Sequence, residues 1–497
     1  QRTIQNLANV TRVMNAKEYQ TYMLETGFIP QTQFDAFYDG TTDTDWVAES
    51  FEQGIMSRYN LGFNGANTNG SYYLSLSYTD DDGIVKGDKD FYKRLTLMAN
   101  ADYKIKSWIK VGTNNQIEKY NSRSVSEGTE YGGFLSSVLT LDPLTPVTLS
   151  PANITPTMQN ILDNGNILLT DENGDYYAIS DFFQAENVNP FIIRDRSIPL
   201  REGFNLNGSV FGDLTPFNGL TITSRFGYRL SSSYSNTYNH SYYANANVYN
   251  QYTDVSSRSN GSIYYQWDNY INYMKNFNGH EVSGMFGHSF VESTNSYVSG
   301  SIEGEGGSSL LKDDPELFGY LDYKASSATQ TVNGSKSISA NESYFGRLGY
   351  NFKDKYIAQV QLRADAFDLS KLPVTNRWGY FPSVSLAWVA TKENFLSNVP
   401  VLSYLKIRAS WGVNGSIAAL SNYPYSTSIT SSSAYSWDLV QSTGTANWVV
   451  AKFPSSLGND ELSWETTTQT NVGFDARFLR DKLSLSADYF NKQTEDL

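Results

Sequence analysis

Seven polar side chains between residues 343 and 412 have the strongest potential for binding chemistry in this sequence. They carry guanidinium, ammonium, carboxylate and amide groups at alternate positions of three short segments: Arg347, Gln359, Gln361, Arg363, Asp365, Lys406 and Arg408. Such groups hold polar ligands or protein partners through hydrogen bonds and ion pairs. A hydrated interior needs polar side chains too. We therefore expect a surface for substrate contact, for contact with another domain, or for plain hydration.

Motifs for enzymatic chemistry are not found. The sequence has no His-Glu-x-x-His, Gly-x-Ser-x-Gly or phosphate-binding glycine motif. Three histidines lack the spacing of metal ligands: His240, His280 and His288. No spacing selects a pair of carboxylates for glycoside hydrolysis. We predict no catalytic residues, no cofactor and no metal.

One acidic loop resembles the beginning of a calcium-binding loop. Asp171, Asn173 and Asp175 alternate as the first oxygen ligands of such a loop do. The sixth and twelfth positions need Gly and Glu, but here they are Tyr176 and Phe182. An ordinary Asn-Gly turn is the better interpretation.

The elements that carry the seven residues read as β-strands. Apolar and polar residues alternate with period two, which gives each strand one apolar and one polar face. The apolar positions between the seven residues are Leu348, Tyr350, Ala358, Val360, Leu362, Ala364, Leu405, Ile407, Ala409 and Trp411. A soluble sandwich and a membrane barrel both have this pattern. The connections alternate between short and long, which favours a barrel with one tight rim and one rim of large loops.

Composition agrees with a strand-rich chain. Of 497 residues, 14% are aromatic and 18% charged. No apolar run reaches the roughly 18 residues of a membrane-spanning helix. Cysteine is absent, which excludes disulfides and zinc-thiolate sites, and the net charge of −14 argues against nucleic acid as a partner.

Four segments resemble the barrel of SusC-like (SusC/RagA-type) TonB-dependent outer-membrane transporters. They read SYFGRLGYNFKDKYIAQVQLRAD, NRWGYFPSVSLAWVATKENFL, LKIRASWGVNG and SLGNDELSWETTTQTNVGFDARFLRDKLSLSADYFNKQTEDL. The family often has Asp-Gly-Ser-Ser-Arg-Phe after Arg-Ala-Asp, whereas Asp365 is followed here by Ala-Phe-Asp-Leu-Ser. We therefore expect the family barrel with its own loop at this point.

The predicted fold is all-β: a partial transmembrane antiparallel β-barrel with long extracellular loops. We count roughly 14 strands, against about 22 in a full transporter barrel. Residues 1–56 are predicted to begin the barrel region, with a short helix at 15–26 that Asn15 and Glu18 cap. Residues 57–497 are predicted to form strands and extracellular loops. The excursions are placed at 120–201, 292–341 and 413–462. The resemblance implies a plug domain and final strands outside this chain.

The resemblance also implies function. We expect TonB-dependent import of an oligosaccharide, or of a peptide, across the bacterial outer membrane. A SusD-like surface lipoprotein would cover the loops, TonB would act through the plug, and outer-membrane lipid would surround the barrel. Loop aromatics that could stack on sugars or contact a partner are Tyr242, Tyr243, Tyr249, Tyr252, Tyr423, Tyr425, Tyr435 and Trp437. A passive barrel or adhesin, and a soluble all-β carbohydrate-active enzyme, are the alternatives.

Overall fold

A single antiparallel sheet of fifteen strands dominates the computed structural model. The structure describes residues 1–7, 11–87, 89–125, 128, 132–182, 187–304, 315, 319–322, 329–368, 370–396, 399–432 and 451–495. Each strand of the large sheet pairs with the strands that precede and follow it in that sheet along the chain. This arrangement of consecutive hairpins confirms the predicted fold class, with one strand more than the approximate count.

The bounds of the strands follow the chain. They are β1 Arg2–Gln5, β2 Gly54–Ala66, β3 Gly70–Asp81, β4 Phe91–Lys106, β5 Ile109–Arg123, β6 Thr148–Leu149, β7 Tyr176–Tyr177, β8 Ser197–Leu214, β9 Leu220–Asn239, β10 Tyr242–Tyr243, β11 Tyr249–Asn250, β12 Asp254–Phe277, β13 His280–Glu303, β14 Thr329–Phe352, β15 Tyr356–Phe367, β16 Trp378–Val389, β17 Leu402–Ser416, β18 Ser428–Ser432, β19 Ala451–Ser456, β20 Glu465–Phe478 and β21 Leu483–Glu495. Three two-stranded pairs, β6–β7, β10–β11 and β18–β19, lie outside the large sheet, of which β1 and β21 are the edges.

The helices are short and precede or interrupt the strands. They are α1 Ala16–Thr26, α2 Gln31–Phe37, α3 Trp46–Ser50, α4 Phe134–Thr140, α5 Pro156–Asp163 and α6 Pro190–Asp195, with 3-10 turns at Val374–Asn376 and Ala390–Lys392. Among the described helices, none combines the length and the apolar composition that crossing a membrane requires.

The register of the sheet keeps the predicted apolar residues on one face. Leu348 of β14 lies opposite Val360 of β15, and Val360 lies opposite Val384 of β16, which in turn lies opposite Trp411. The side chains of this row stay open to the surroundings, with Leu348 68% and Val360 55% exposed. An exposed apolar row that continues from strand to strand is the surface that lipid would cover. We call it the outer face and the opposite side the inner face.

Three strands are longer than the sequence pattern indicates. β12, β13 and β14 have 24 residues each, whereas a transmembrane strand needs about 9–11. Roughly half of each strand therefore extends beyond an apolar belt. The excursion predicted at 292–341 is wrong at both ends, because β13 continues to Glu303 and β14 begins at Thr329. Without lipid beside it, this part of the sheet needs no continuous apolar face, although the backbone ladder continues. At its far end Val255 and Ile302 are buried in a small core with Tyr238.

The other predicted excursions are also narrower than expected. β5 extends to Arg123 and β8 begins at Ser197, so the connection predicted at 120–201 is shorter. Within 413–462, β17 continues to Ser416 and the described residues include the pair β18–β19.

Tight turns and long connections alternate along the large sheet. Tight turns follow β4 at 107–108, β14 at 353–355 and β20 at 479–482. Lys353, Asp354, Arg480 and Asp481 adopt the left-handed conformation that such turns require. Antiparallel pairing then places the ends of β5, β13 and β17, and the beginnings of β8, β14 and β20, at the opposite rim of the sheet. The predicted grouping of the connections into two rims agrees with this topology.

The long connections 6–53, 124–196 and 240–253 contain a folded unit, which we call the loop layer. Its apolar core includes Trp46, Phe134, Met158, Phe191 and Tyr242. The sequence analysis did not predict this core, because it identified only the helix at 15–26 and none of the helices α3 to α6 that contribute to the core. The missed signals were local: Asp45 caps α3, while the Thr-Pro pair at 155–156 and the Asn-Pro pair at 189–190 begin α5 and α6.

The helix expected after Asn15 is present. The Asn15 side chain accepts from the Glu18 amide, and the Glu18 carboxylate accepts from the Asn15 amide at 3.2 Å. Gly27 ends the helix in the left-handed conformation. Tyr19 is buried in a second small core, while Tyr22 is exposed.

A buried carboxylate ties the loop layer together. Asp142 is fully buried; its carboxylate accepts from Ser180 and Thr145, and its carbonyl accepts from the Trp46 indole at 2.8 Å. Burial raises the pKa of Asp142, while the hydrogen bonds from Ser180 and Thr145 act against that rise. The network joins three segments that are far apart in sequence.

Candidate functional site

The seven predicted polar residues all occur on the inner face of the sheet. Arg347 lies opposite Gln361, Gln359 lies opposite Ser385, and Arg408 lies opposite Ala387. Each of these positions is an odd number of residues from the apolar row on its strand, so its side chain projects to the other side. The role of the seven residues in binding stays a prediction.

Arg363 and Asp365 form an ion pair on the inner face, close to Phe367, where β15 ends. The guanidinium Nε donates to both carboxylate oxygens at 2.9 and 2.8 Å, and Nη2 donates to the Ser343 hydroxyl at 2.9 Å. Ser343 also donates to Asp365 at 2.5 Å. Asp365 is only 7% exposed, so its charge is compensated inside the wall rather than offered to a ligand.

Arg408 forms the second network, which joins β17, β20 and β21. Its guanidinium donates to Asp475 at 3.1 Å and to both carboxylate oxygens of Asp488 at 2.5 and 2.9 Å. Ser486 donates to Asp475 at 2.7 Å. Two carboxylates therefore surround one guanidinium, and Lys406 lies opposite Asp475 across the ladder.

A polar cavity of about 490 Å³ lies between these networks, and we call it the wall cavity. Four of the seven predicted residues line it: Gln359, Gln361, Arg363 and Asp365. Further lining groups are neutral amides, hydroxyls and aromatic rings: Ser383, Ser385, Ser410, Asn414, Gln469, Asn471, Phe381 and Trp464. Lys406 and Arg408 line a neighbouring cavity of about 270 Å³. Arg347 shares the inner face but lines neither cavity.

Aromatic rings form one end of the wall cavity. The rings of Phe381 and Trp464 meet edge to face, with centroids 5.3 Å apart, and the Trp464 indole donates to the Arg377 carbonyl at 3.0 Å. A Cβ added at Gly415 would lie 2.2 Å from the Phe381 ring, so this position requires glycine. Phe381 and Trp464 were not predicted as site residues, because the sequence position of an aromatic residue does not show whether its ring packs in a core or lines a cavity.

The lining of the wall cavity suits an uncharged ligand rich in hydrogen-bonding groups. Arg363 and Asp365 neutralise one another, so the remaining groups are amides and hydroxyls. Some already bond to one another: Gln469 donates to Asn471 at 2.9 Å, and Asn471 donates to Ser410 at 3.2 Å. Amides and hydroxyls exchange such partners at low cost when a polar ligand or a protein surface arrives.

The weaker candidates have structural roles. His280 contacts the Tyr350 hydroxyl at 2.8 Å, and His288 contacts Glu342 at 3.2 Å. In the part of the chain that the structure describes, no group of three metal-binding side chains converges. Asp171 accepts from the backbone amides of residues 173 and 175, as the interpretation of an ordinary turn requires.

The predicted loop aromatics divide between packing and exposure. Tyr242 is buried in the loop layer, and Tyr249 is 54% exposed beside Tyr243. Tyr423 and Tyr425 meet edge to face at 6.4 Å. Tyr435 and Trp437 lie outside the described residues.

Comparison with known proteins decides what kind of barrel this is. The family described as TonB dependent receptor-like, beta-barrel matches residues 157–497, which is more than half of the chain. The chain belongs to this family.

Relatives of this TonB-dependent receptor barrel are themselves receptors. TonB-dependent receptor P3 of Formosa agariphila is 26% identical over 100% of the chain and 45% of its own length. TonB-dependent receptor SusC of Bacteroides thetaiotaomicron is 28% identical over 92% of the chain and 43% of its own length. The chain thus spans less than half the length of these curated relatives. They confirm the SusC-like resemblance.

Among solved structures, the RagAB peptide transporter has the same fold. It superposes with a TM-score of 0.76 at 20% identity and covers 100% of this chain and 54% of its own chain. At that identity the likeness concerns the fold.

Proposed function

We propose that the full-length protein imports an oligosaccharide across the bacterial outer membrane with energy from the TonB system. The observation that carries the proposal is the two-faced sheet of this TonB-dependent receptor barrel. Its outer face is apolar and exposed, whereas its inner face holds the wall cavity lined by amides and hydroxyls. Lipid would cover the first face, and cargo or a plug domain would contact the second.

The neutral character of the wall cavity favours an oligosaccharide over a charged cargo. Sugar hydroxyls donate and accept hydrogen bonds, as Gln359, Gln361, Ser383 and Asn471 can do in return. A plug domain that docked against the same wall would use the same groups. In this proposal the plug and the TonB-binding segment lie in the part of the protein beyond this chain.

The loop layer is an argument for a protein partner at the rim that carries the long connections. Connections that merely close hairpins need few residues, yet these form a unit with its own core. Long ordered loops usually bind something, and a stable partner needs an interface above roughly 1,000 Å². We propose that a SusD-like lipoprotein docks here, so that cargo is held between it and the barrel.

Transport assays in the native bacterium test the import function. Deleting the full-length gene should abolish uptake of a labelled neutral oligosaccharide, and deleting TonB should do the same. Uptake that survives the loss of TonB would indicate a passive barrel. Uptake of peptides but not saccharides would overturn the proposed cargo.

Co-purification tests the partner. Full-length protein extracted from native outer membranes in mild detergent should elute with a surface lipoprotein. Elution of the intact receptor alone would contradict the lipoprotein proposal.

A further inference from the structure

A third cavity, of about 510 Å³, lies where the loop layer meets the inner face, and we call it the mouth cavity. Its walls come from the residues after β5, from α6, from the β10–β11 hairpin and from the ends of β8, β9 and β12. Among its lining residues, Ser197, Asn239 and Asp254 are inner-face positions at the loop-layer ends of their strands. Cargo that enters the barrel from this rim would pass the mouth cavity before it reaches the wall cavity.

The mouth cavity offers fixed hydrogen-bond acceptors on one side. The Asp254 carboxylate accepts from the Asn239 amide at 2.8 Å and, more loosely, from the Asn250 amide at 3.4 Å. Asn250 also donates to the His240 carbonyl at 2.9 Å. A carboxylate has about four acceptor positions, so Asp254 keeps acceptor capacity beyond these two bonds. The side-chain oxygens of Asn239 and Asn250 add to it.

Hydrogen-bond donors come from α6 and the residue after it. Arg196 donates to the Tyr242 hydroxyl at 3.1 Å through Nη1. Within the described residues, Arg196 and Asp254 form no ion pair with each other or with another side chain. A guanidinium has five N–H donors, so Arg196 retains several for a ligand.

The other arginine of the mouth cavity is already neutralised. Arg194 donates to Asp195 at 2.9 and 2.6 Å, to the Lys86 carbonyl at 2.7 Å and to the Tyr177 hydroxyl at 3.2 Å. The cavity thus presents one guanidinium and one carboxylate without an excess of either charge. That balance favours an uncharged ligand over an anion or a cation.

Apolar surface completes the lining. Val125, Ile193 and Pro199 contribute aliphatic groups, and the half-exposed Tyr249 contributes a ring. A sugar ring has hydroxyls at its edge and C–H groups on its faces. It therefore matches a cavity with donors and acceptors on some walls and apolar groups on others.

We propose that the mouth cavity is a binding subsite for an uncharged sugar ring, held by Asp254, Asn239, Asn250 and Arg196 and packed against Tyr249. The inference rests on the proposed import function and adds a second site to it. The wall cavity has related chemistry: acidic and basic groups in equal number, amides, hydroxyls and aromatic rings. The two sites would receive the same neutral chain in succession.

Saturation-transfer NMR on the full-length receptor in detergent tests the subsite. The probes are neutral hexasaccharides of glucose, mannose, galactose and xylose, an oligogalacturonate as the acidic sugar, and a tryptic digest of casein as the peptide arm. At least one neutral hexasaccharide should bind. Tyr249→Ala and Asp254→Asn should each weaken its affinity by roughly tenfold, the loss expected for a packing contact or a charge-assisted hydrogen bond.

The matched control is Tyr22→Ala, which removes an exposed tyrosine of the loop layer that does not line the mouth cavity. It should leave saccharide affinity unchanged. Neutral saccharide binding that both cavity variants retain in full would overturn the subsite and leave the import proposal standing. Exclusive binding of the acidic sugar would overturn the subsite for a neutral sugar. Exclusive binding of peptides, or no saccharide binding at all, would overturn the subsite and the oligosaccharide cargo together. If Asp254→Asn does not fold, Tyr249→Ala still tests the subsite, because the Tyr249 side chain is half exposed and its removal should not disturb the fold.

Discussion

The substitution Leu362→Arg tests the assignment of the two faces. Leu362 is 51% exposed on the outer face and lies six residues from Tyr356, where β15 begins. At roughly 3.4 Å per residue and a tilt of about 45°, that separation is about 14 Å along the membrane normal. An apolar band is about 25 Å tall, so Leu362 lies near its middle. Arginine there should destabilise the folded protein by about 2–4 kcal/mol.

The neighbouring residue provides the matched control. Gln361 faces the opposite side and lines the wall cavity, so Gln361→Arg should cost less than about 1 kcal/mol. Denaturant titration of the full-length receptor folded in phospholipid vesicles measures both free energies of unfolding. Equal costs at the two positions would refute the assignment of one face to lipid and the other to water.

Three further perturbations follow from the networks and the topology. Arg408→Ala should lower the denaturant midpoint of the folded receptor, because it leaves the Asp475 and Asp488 carboxylates together without their guanidinium; adding Asp475→Asn should recover part of that loss. Burial raises the pKa of Asp195, but the hydrogen bonds and charge of Arg194 lower it more, so the folded pKa lies below the usual range. The stability that Asp195 supplies should be present above roughly pH 4 and lost as pH falls through the lower folded pKa; Asp195→Asn should remove this component from acid-unfolding curves, and an unchanged curve would contradict it. Epitope tags inserted at 171–175 should bind antibody on intact cells, whereas tags at 353–355 should bind only after permeabilisation; the reverse result would invert the proposed rims.

The barrel strands could be predicted from the sequence where one of their faces must be apolar to contact lipid. Leu348, Val360 and Leu362 alternate with Arg347 and Gln361 because one face must be apolar over the membrane's thickness. The same rule located all seven inner-face residues. It could not show that Arg363 and Arg408 are occupied by partners, since those contacts depend on cross-strand register.

Beyond the apolar belt, strands do not contact lipid, so apolar and polar residues need not alternate there. The outer halves of β12, β13 and β14 lie beyond the lipid belt, so their Ser- and Asn-rich sequences resemble loops although their backbones pair. The loop layer escaped prediction for a different reason. Its core joins Trp46, Phe134 and Tyr242 across long sequence separations, which local patterns do not report.

Single-cysteine scanning tests the central claim most directly, because the 497 residues contain no cysteine. Cysteines placed one at a time at residues 357–364 would carry a spin label in the full-length receptor in lipid, after replacement by serine of any cysteine outside this chain. Collision rates with oxygen and with a water-soluble nickel chelate would be measured. Labels at Ala358, Val360 and Leu362 should encounter oxygen, and those at Gln359 and Gln361 should encounter the chelate, with a period of two residues. Equal access to both reagents along the strand would contradict the transmembrane barrel.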